Sequence, residues 1–380
     1  MTKPAPDLSQ LRLQPGPGSR IPNRAYFDAS WFDAEQVHLF EKLWIFAGVV
    51  NDLPEPGSYM TRKIGRVPVL LVKDESGEIK AFHNACRHRG AQLLEGKGQC
   101  KSISCPYHAW NYGLNGELRA VPQHKGQFPN LKLSDWPLKA LACETIAGMI
   151  FVHVGEPETS LRDYLGETGE YADRYDLGEL EEIYHYRYPL KSNWKFFAEN
   201  TIDWLHLFYL HSNSLNMYDH AAGWWEQTGD HFMSFEVPDK TRIDEVNNMR
   251  EGLKPIPNLE VKGAYGAHLI FPNLPFFTSD KSFTTLELIF DGPKTCEIDV
   301  RLFALPGSTV AEDRKTENST VFGEDALATE RLQAAVESPL TEVGPLAMTY
   351  EEPVVNFHNN YMRYLQDHAG AASLKVIAKQ

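Results

Sequence analysis

The chain has 380 residues, 42% of them hydrophobic, enough to bury one large core or two moderate ones, with two domains the better expectation. Its formal net charge of −14 argues against nucleic-acid binding, which needs clustered Lys and Arg for the phosphates. Five cysteines, an odd number spread along the chain, argue against a disulfide framework and leave reduced thiols available as ligands.

No apolar run approaches the roughly 20 residues that cross a bilayer. The opening MTKPAPDLSQ lacks the charged-then-apolar build of a secretory signal, so a cytoplasmic protein with no membrane partner is expected. Residues 1 to about 23 read as a loose Pro- and Gly-rich arm. The run Asp33–Trp44 spaces Val37, Phe40 and Leu43 at helical intervals. Residues 1–44 are therefore expected to form an arm and a helix that pack on the larger domain.

Over 45–155 the texture changes to short apolar runs, Val67–Val72, Lys80–His83 and Ala147–Val154, separated by turn segments such as PEPG, DESG and LNGE. This predicts a small all-β domain. A polar linker begins at Gly155. Residues 156–380 mix strand-like stretches (Ile183–Tyr188, Ser282–Phe290, Cys296–Phe303) with helical ones (Asn193–Leu207, Asp325–Val336, Phe357–Leu365). The fold class expected is α+β, with a larger antiparallel-sheet domain carrying helices.

The β-rich part holds two short motifs, Cys86-Arg87-His88 and Cys105-Pro106-Tyr107-His108. Together they offer two thiolates and two imidazoles. One zinc ion could take all four in a tetrahedron, although zinc sites more often pair their cysteines. A Rieske cluster would put both thiolates on one iron and both imidazoles on the other, a division that suits one Cys and one His per motif. The flanks, FHNACRHRGAQL and CPYHAWNYGLNGEL, resemble the Rieske ferredoxin motif, with Pro106, Trp110 as a shield and Gly113 at the turn. Cys100 and His83 read as bystanders.

In the larger domain NWKFFAENTIDWLHLFYLH spans Asn193–His211. Read as a helix, Trp194, Phe197, Ala198, Thr201, Ile202 and Leu205 share an apolar side. Glu199, Asp203 and His206 share another. His206 and His211 are five residues apart and meet on one ion only if the helix ends or distorts between them. Two imidazoles and a carboxylate make the facial set that suits Fe(II) and leaves positions open.

The order of a Rieske domain, NWKxxxENxxDxxHxxxxH and an acid-bearing C-terminal helix resembles the catalytic α subunit of Rieske non-haem iron ring-hydroxylating oxygenases. The resemblance implies a helix-grip catalytic domain, a [2Fe–2S] cluster on Cys86, His88, Cys105 and His108, and a mononuclear Fe(II) on His206 and His211. FGEDALATERLQ nominates Asp325 as the third iron ligand. Asp203 is implied as a bridge from His206 to a cluster histidine, His108, of a neighbouring subunit, with Glu199 and Asn200 in support. That makes an oligomer, an α₃ homotrimer or an α₃β₃ assembly. With no G-x-G-x-x-G between a strand and a helix, the NAD(P)H reductase, and any ferredoxin, would be separate proteins.

The expected activity is O₂-dependent mono- or dioxygenation of a small aromatic substrate, with Phe208, Tyr209, Tyr218, Trp224, Trp225, Phe232, Phe276 and Phe277 as candidate pocket rings. Asp rather than Glu at position 203 resembles the ring-hydroxylating group. The alternatives are oxidation or demethylation of a quaternary ammonium compound, in which aromatic rings cage the cation, and a non-catalytic electron-transfer or zinc-stabilised binding protein.

Overall fold

The computed structural model describes residues 20–310, 312–342 and 344–377, so the predicted arm lies, up to residue 19, outside the described residues. The chain divides into two compact units, Phe40–Tyr164 on one side and the segments up to Leu39 and from Leu165 on the other. The strand-rich unit is thus a few residues wider at each end than the 45–155 expected.

Helix α1 covers Ala29–Glu35 and passes into a wide π turn over Gln36–Phe40. It starts earlier than the periodicity predicts because Asp28 caps it, accepting from the Ser30 N–H at 2.8 Å and compensating an otherwise orphaned donor.

The Phe40–Tyr164 unit contains β1 (Ile45–Val49), β2 (Ser58–Ile64), β3 (Val67–Lys73), β4 (Ile79–His83), β5 (Lys97–Gln99), β6 (Ile103–Ser104), β7 (Asn111–Tyr112), β8 (Leu118–Ala120), a one-turn α2 (His124–Gln127), β9 (Ala140–Ile146) and β10 (Met149–His153). One antiparallel sheet runs β1-β10-β9-β4-β3-β2-β5 and a smaller one β6-β7-β8. Part of the predicted run Ala147–Val154 is the hairpin turn joining β9 to β10, with Ala147 and Gly148 both at positive φ. The loop after β4 and the β6–β7 loop share a buried cluster in which Cys86 and Cys105 pack with Leu70, Phe82, Trp110 and Tyr112.

Helix α3 (Leu161–Ala172) carries the division between the units. The larger unit continues with β11 (Glu181–Leu190), α4 (Trp194–Ile202), α5 (Leu205–Tyr209), β12 (Trp224–Thr228), β13 (His231–Glu236), α6 (Ile243–Asn248), β14 (Tyr265–Ile270), β15 (Leu274–Thr278), β16 (Ser282–Ile289), β17 (Cys296–Ala304), α7 (Glu312–Val336) and α8 (Glu352–Ile377). Its seven strands form one antiparallel sheet, β11-β17-β16-β15-β14-β13-β12. Helix α4 packs on β14, β15, α7 and α8.

Two features of α4 position the site. Asn193 caps it, accepting from the Lys195 N–H, while its own N–H donates to Gln333 Oε1 on α7. Lys195 is wholly buried beside an equally buried Glu35, Nζ to Oε1 2.5 Å. Trp194 Nε1 and the Tyr361 hydroxyl also donate to that carboxylate. A buried charge is tolerable only when so paired, and this pair ties α1, α4 and α8 together. Burial holds the Lys195 amine below its usual pKa, with Glu35 pulling the other way.

Candidate active site

In the strand-rich unit the two Cys/His loops fold the same way. The Cys86 N–H donates to Ala91 O and the Gly90 N–H to Cys86 O; the Cys105 N–H donates to Trp110 O and the Ala109 N–H to Cys105 O. Each turn needs a left-handed residue four positions after its cysteine, and Gly90 (φ +75°) and Ala109 (φ +54°) supply it. Glycine does this freely; alanine does it at a cost of about 1 kcal/mol.

These turns bring the His88 and His108 rings to 4.9 Å between centroids. Trp110 stacks on His88 at 4.9 Å and 7°. Tyr107, 60% exposed, leans on His108. The Tyr112 hydroxyl lies 3.3 Å from Cys86 Sγ and accepts from the Arg87 N–H.

Burial, with Cys105 nearby, pushes the Cys86 thiol up, and burial with His108 nearby pushes His88 down. Nδ1 of His88 and Nδ1 of His108 are both buried without a hydrogen-bond partner among the described residues. Two crowded thiols and two orphaned imidazole nitrogens are unfavourable as they stand. A soft cationic centre that takes thiolate sulfur and neutral imidazole satisfies all four, so the donor set fits a Rieske cluster.

In the larger unit the single helix predicted over Asn193–Leu207 is two. Helix α4 stops at Asp203, whose backbone is extended (φ −76°, ψ 115°), and Asp203 Oδ1 then caps α5 by accepting from the Leu205 N–H at 2.8 Å. Helix α5 ends before His211, and the chain distorts between the two histidines as their convergence requires. Asp325 does not start a helix; it lies within the long α7. His206, His211 and Asp325 offer ligand atoms that all fall within 4.8 Å of one another.

The hydrogen bonds decide which atoms are free. The His206 Nδ1–H donates to the Asp203 carbonyl at 2.5 Å, leaving the Asp203 carboxylate farther off at 3.6 Å. The His211 Nδ1–H donates to Glu324 Oε2 at 2.8 Å, and Ser214 Oγ donates to the same oxygen. His211 Nε2 meets Asp325 Oδ1 in a hydrogen bond at 2.9 Å, and His206 Nε2 stands 3.9 Å from the same oxygen. Asn200 Nδ2 donates to that oxygen at 2.9 Å.

Two imidazoles and a carboxylate converging on one point are a donor set that a divalent metal fits. Burial holds His206 down at about 4, in its neutral form. Burial also lowers His211, but Asp325 and Glu324 outweigh it and raise the ring overall. Burial raises Asp203 to about 7.

The three residues stand in the wall of a cavity enclosing about 1270 Å³ of empty space, its open mouth included. Of the rings predicted to line it, Tyr218 and Phe277 do. Phe232 and Phe276 are core residues, Tyr209 is 76% exposed, Phe208 packs on His220 and Tyr350, and Trp224 and Trp225 lie on β12. Tyr184, Phe197, Tyr265 and Phe322 line it instead. Glu324 was also missed; its adjacency to the nominated Asp325 was the available signal.

Residues 43–138 match the family model for the Rieske [2Fe-2S] domain, and residues 177–367 that for the ring hydroxylating alpha subunit (catalytic domain). The chain is 31% identical over 187 residues to the glycine betaine monooxygenase oxygenase subunit of Pseudomonas aeruginosa, covering 49% of this chain and 43% of that one. It is 36% identical over 186 residues to the biphenyl 2,3-dioxygenase alpha subunit of Rhodococcus jostii, covering 47% and 40%. These matches thus span less than half the length of either relative. In fold it is similar to a quaternary ammonium Rieske monooxygenase solved with its substrate L-carnitine, with a TM-score of 0.76 and 19% identity over 96% of this chain and 99% of that one.

Proposed function

The chain belongs to the Rieske oxygenase α-subunit family, and from that premise we propose that it is a terminal oxygenase component hydroxylating, by mono- or dioxygenation, a small aromatic substrate. Electrons come from a separate NAD(P)H reductase, with or without a ferredoxin between them. The observation that carries this reading is the convergence of the His206, His211 and Asp325 donors on the wall of a ring-lined cavity.

Cys86 and Cys105 would hold one cluster iron and the Nδ1 atoms of His88 and His108 the other. His206 and His211, through Nε2, and Asp325 would hold the mononuclear iron. When bound, the cluster supplies single electrons and the mononuclear iron activates O₂. Glu324 fixes the tautomer and orientation of His211, the Asp203 carbonyl does so for His206, and Asn200 holds the Asp325 carboxylate. The apolar cavity walls hold the substrate beside the donors and keep bulk water out.

Asp203 is assigned the route for electrons from the cluster histidine of a neighbouring subunit to His206, which makes the working unit an oligomer, α₃ or α₃β₃. A cytoplasmic location goes with this reading; no helix among the described residues is long and apolar enough to cross a membrane.

Similarity to the glycine betaine enzyme and the Tyr184, Tyr218 and Tyr265 rings in the wall support a second reading, oxidation of a quaternary ammonium compound. The test is metal analysis and EPR of reduced, anaerobically purified protein, followed by turnover with aromatic and trimethylammonium compounds. About three irons per chain and oxygenated product are expected. In Asp203→Asn the cluster should still reduce while product formation collapses; equal turnover in that variant overturns the bridge.

A further inference from the structure

Resting on the oxygenase reading, we propose that the substrate carries a carboxylate and that Arg250 anchors it in the cavity. Arg250 follows α6 and lines the same cavity as His206, His211 and Asp325. Its side chain is 11% exposed. Of the five N–H donors of a guanidinium, one on Nη1 goes to Asp280 Oδ1 at 2.9 Å and one on Nη2 goes to the Ala264 carbonyl. The remaining three have no partner among the described residues. The fork is therefore held in place by the protein and left partly open.

The charge balance of the cavity favours an anion there. Histidines aside, Arg250 and Asp325 are the two charged residues among those described in its wall, and Asp325 faces the iron position. Asp280 balances Arg250 from the solvent side, 39% exposed, where water weakens the pairing. A ligand carboxylate inside the cavity would meet the same guanidinium with little water between, in the bidentate geometry Arg favours.

Ser279 and Ser282, in the turn that carries Asp280, line the cavity as well and make this a polar end. Tyr265, partly buried, lines the cavity too and lies within electrostatic reach of both Asp325 and Arg250. A neutral ring would leave the three remaining N–H donors without an acceptor, and a cation lacking an acid group would be repelled by the guanidinium. Aromatic acids and carboxylate-bearing betaines share the group that fits.

The test uses holoenzyme and matched pairs: benzoate against benzamide for the aromatic source, glycine betaine against choline for the ammonium source. Binding is read by calorimetry and product by single turnover. In at least one pair the carboxylate should bind roughly tenfold to a hundredfold tighter than its partner. Arg250→Gln should erase that margin, Arg250→Lys should restore part of it, and Asp280→Asn, which frees the fork, should widen it.

Equal affinity within both pairs, no carboxylate binding in either, or an Arg250→Gln variant that keeps the margin overturns the assignment. If Arg250→Gln does not fold, the Asp280→Asn result decides, and an unchanged or narrower margin counts against. Oxygenation of neutral rings with carboxylates ignored overturns Arg250 and leaves the oxygenase reading standing. No product from any compound despite bound iron and a reduced cluster overturns the oxygenase reading, while the calorimetry still decides Arg250.

Discussion

The two donor sets are built on different scales. Cys86, His88, Cys105 and His108 sit on two loops that each close through their own backbone hydrogen bonds, and what brings them together is one hairpin and one small core. His206 and His211 reach a common point only because α7 carries Asp325, 114 residues after His211, against α4. The first set is a local construction; the second depends on the packing of a whole unit. Damage to packing should therefore reach the second set first.

The largest separation of the two comes from His206→Ala. Oxygenation should be abolished and iron should fall from about three per chain to two, with the cluster spectrum intact. Loss of the cluster signal in that variant would show the sets are not independent.

Next is Lys195→Ala, which strands the wholly buried Glu35 carboxylate behind α4. Removing one partner of a buried pair costs about 3–5 kcal/mol, measurable by denaturant titration. On warming, the mononuclear iron should leave before the cluster bleaches. The reverse order would refute the comparison.

Glu324→Gln is narrower, since it keeps the shape but weakens the acceptor for the His211 Nδ1–H. Iron affinity or turnover should fall roughly tenfold to a hundredfold. An unchanged value would mean that His211 needs no orienting carboxylate.

The smallest effect lies at Asp28, the α1 cap, whose carboxyl is held down at about 2 from 3.8, chiefly by the Arg24 hydrogen bond and against the effect of burial. Because the folded value is depressed, its stabilisation is fully present above about pH 4 and is lost as pH falls through about 2. Arg24 is largely exposed, so screening keeps the ion pair itself below about 1 kcal/mol. Asp28→Asn should flatten that part of the pH–stability curve while leaving the cap.

The sequence was most legible where the structure is most local. The Cys/His motifs stood out because both halves and their turn residues are contiguous, and the apolar side of α4 because Trp194, Phe197, Ala198 and Ile202 follow its period and are buried. The break at Asp203 was not visible, since a residue that ends one helix by capping the next looks like any acid in a helical run. The buried pairing of Lys195 was not visible because its partner is 160 residues away. Strands β12 to β15 went unpredicted, as a stretch such as His231–Glu236 is buried on both faces and shows no alternation. Without strand register, the rings of Tyr184 and Tyr265 could not be placed in the cavity.

The cavity wall divides by element. The three metal-set residues come from the α5 segment and α7, whereas Tyr184, Tyr265, Phe277, Thr284 and Leu302 come from five different strands of the sheet. A substitution on a strand can thus reshape what is held without moving a donor atom. Selection for a new compound can proceed by drift on the sheet, one side chain at a time, while the donor set is inherited unchanged.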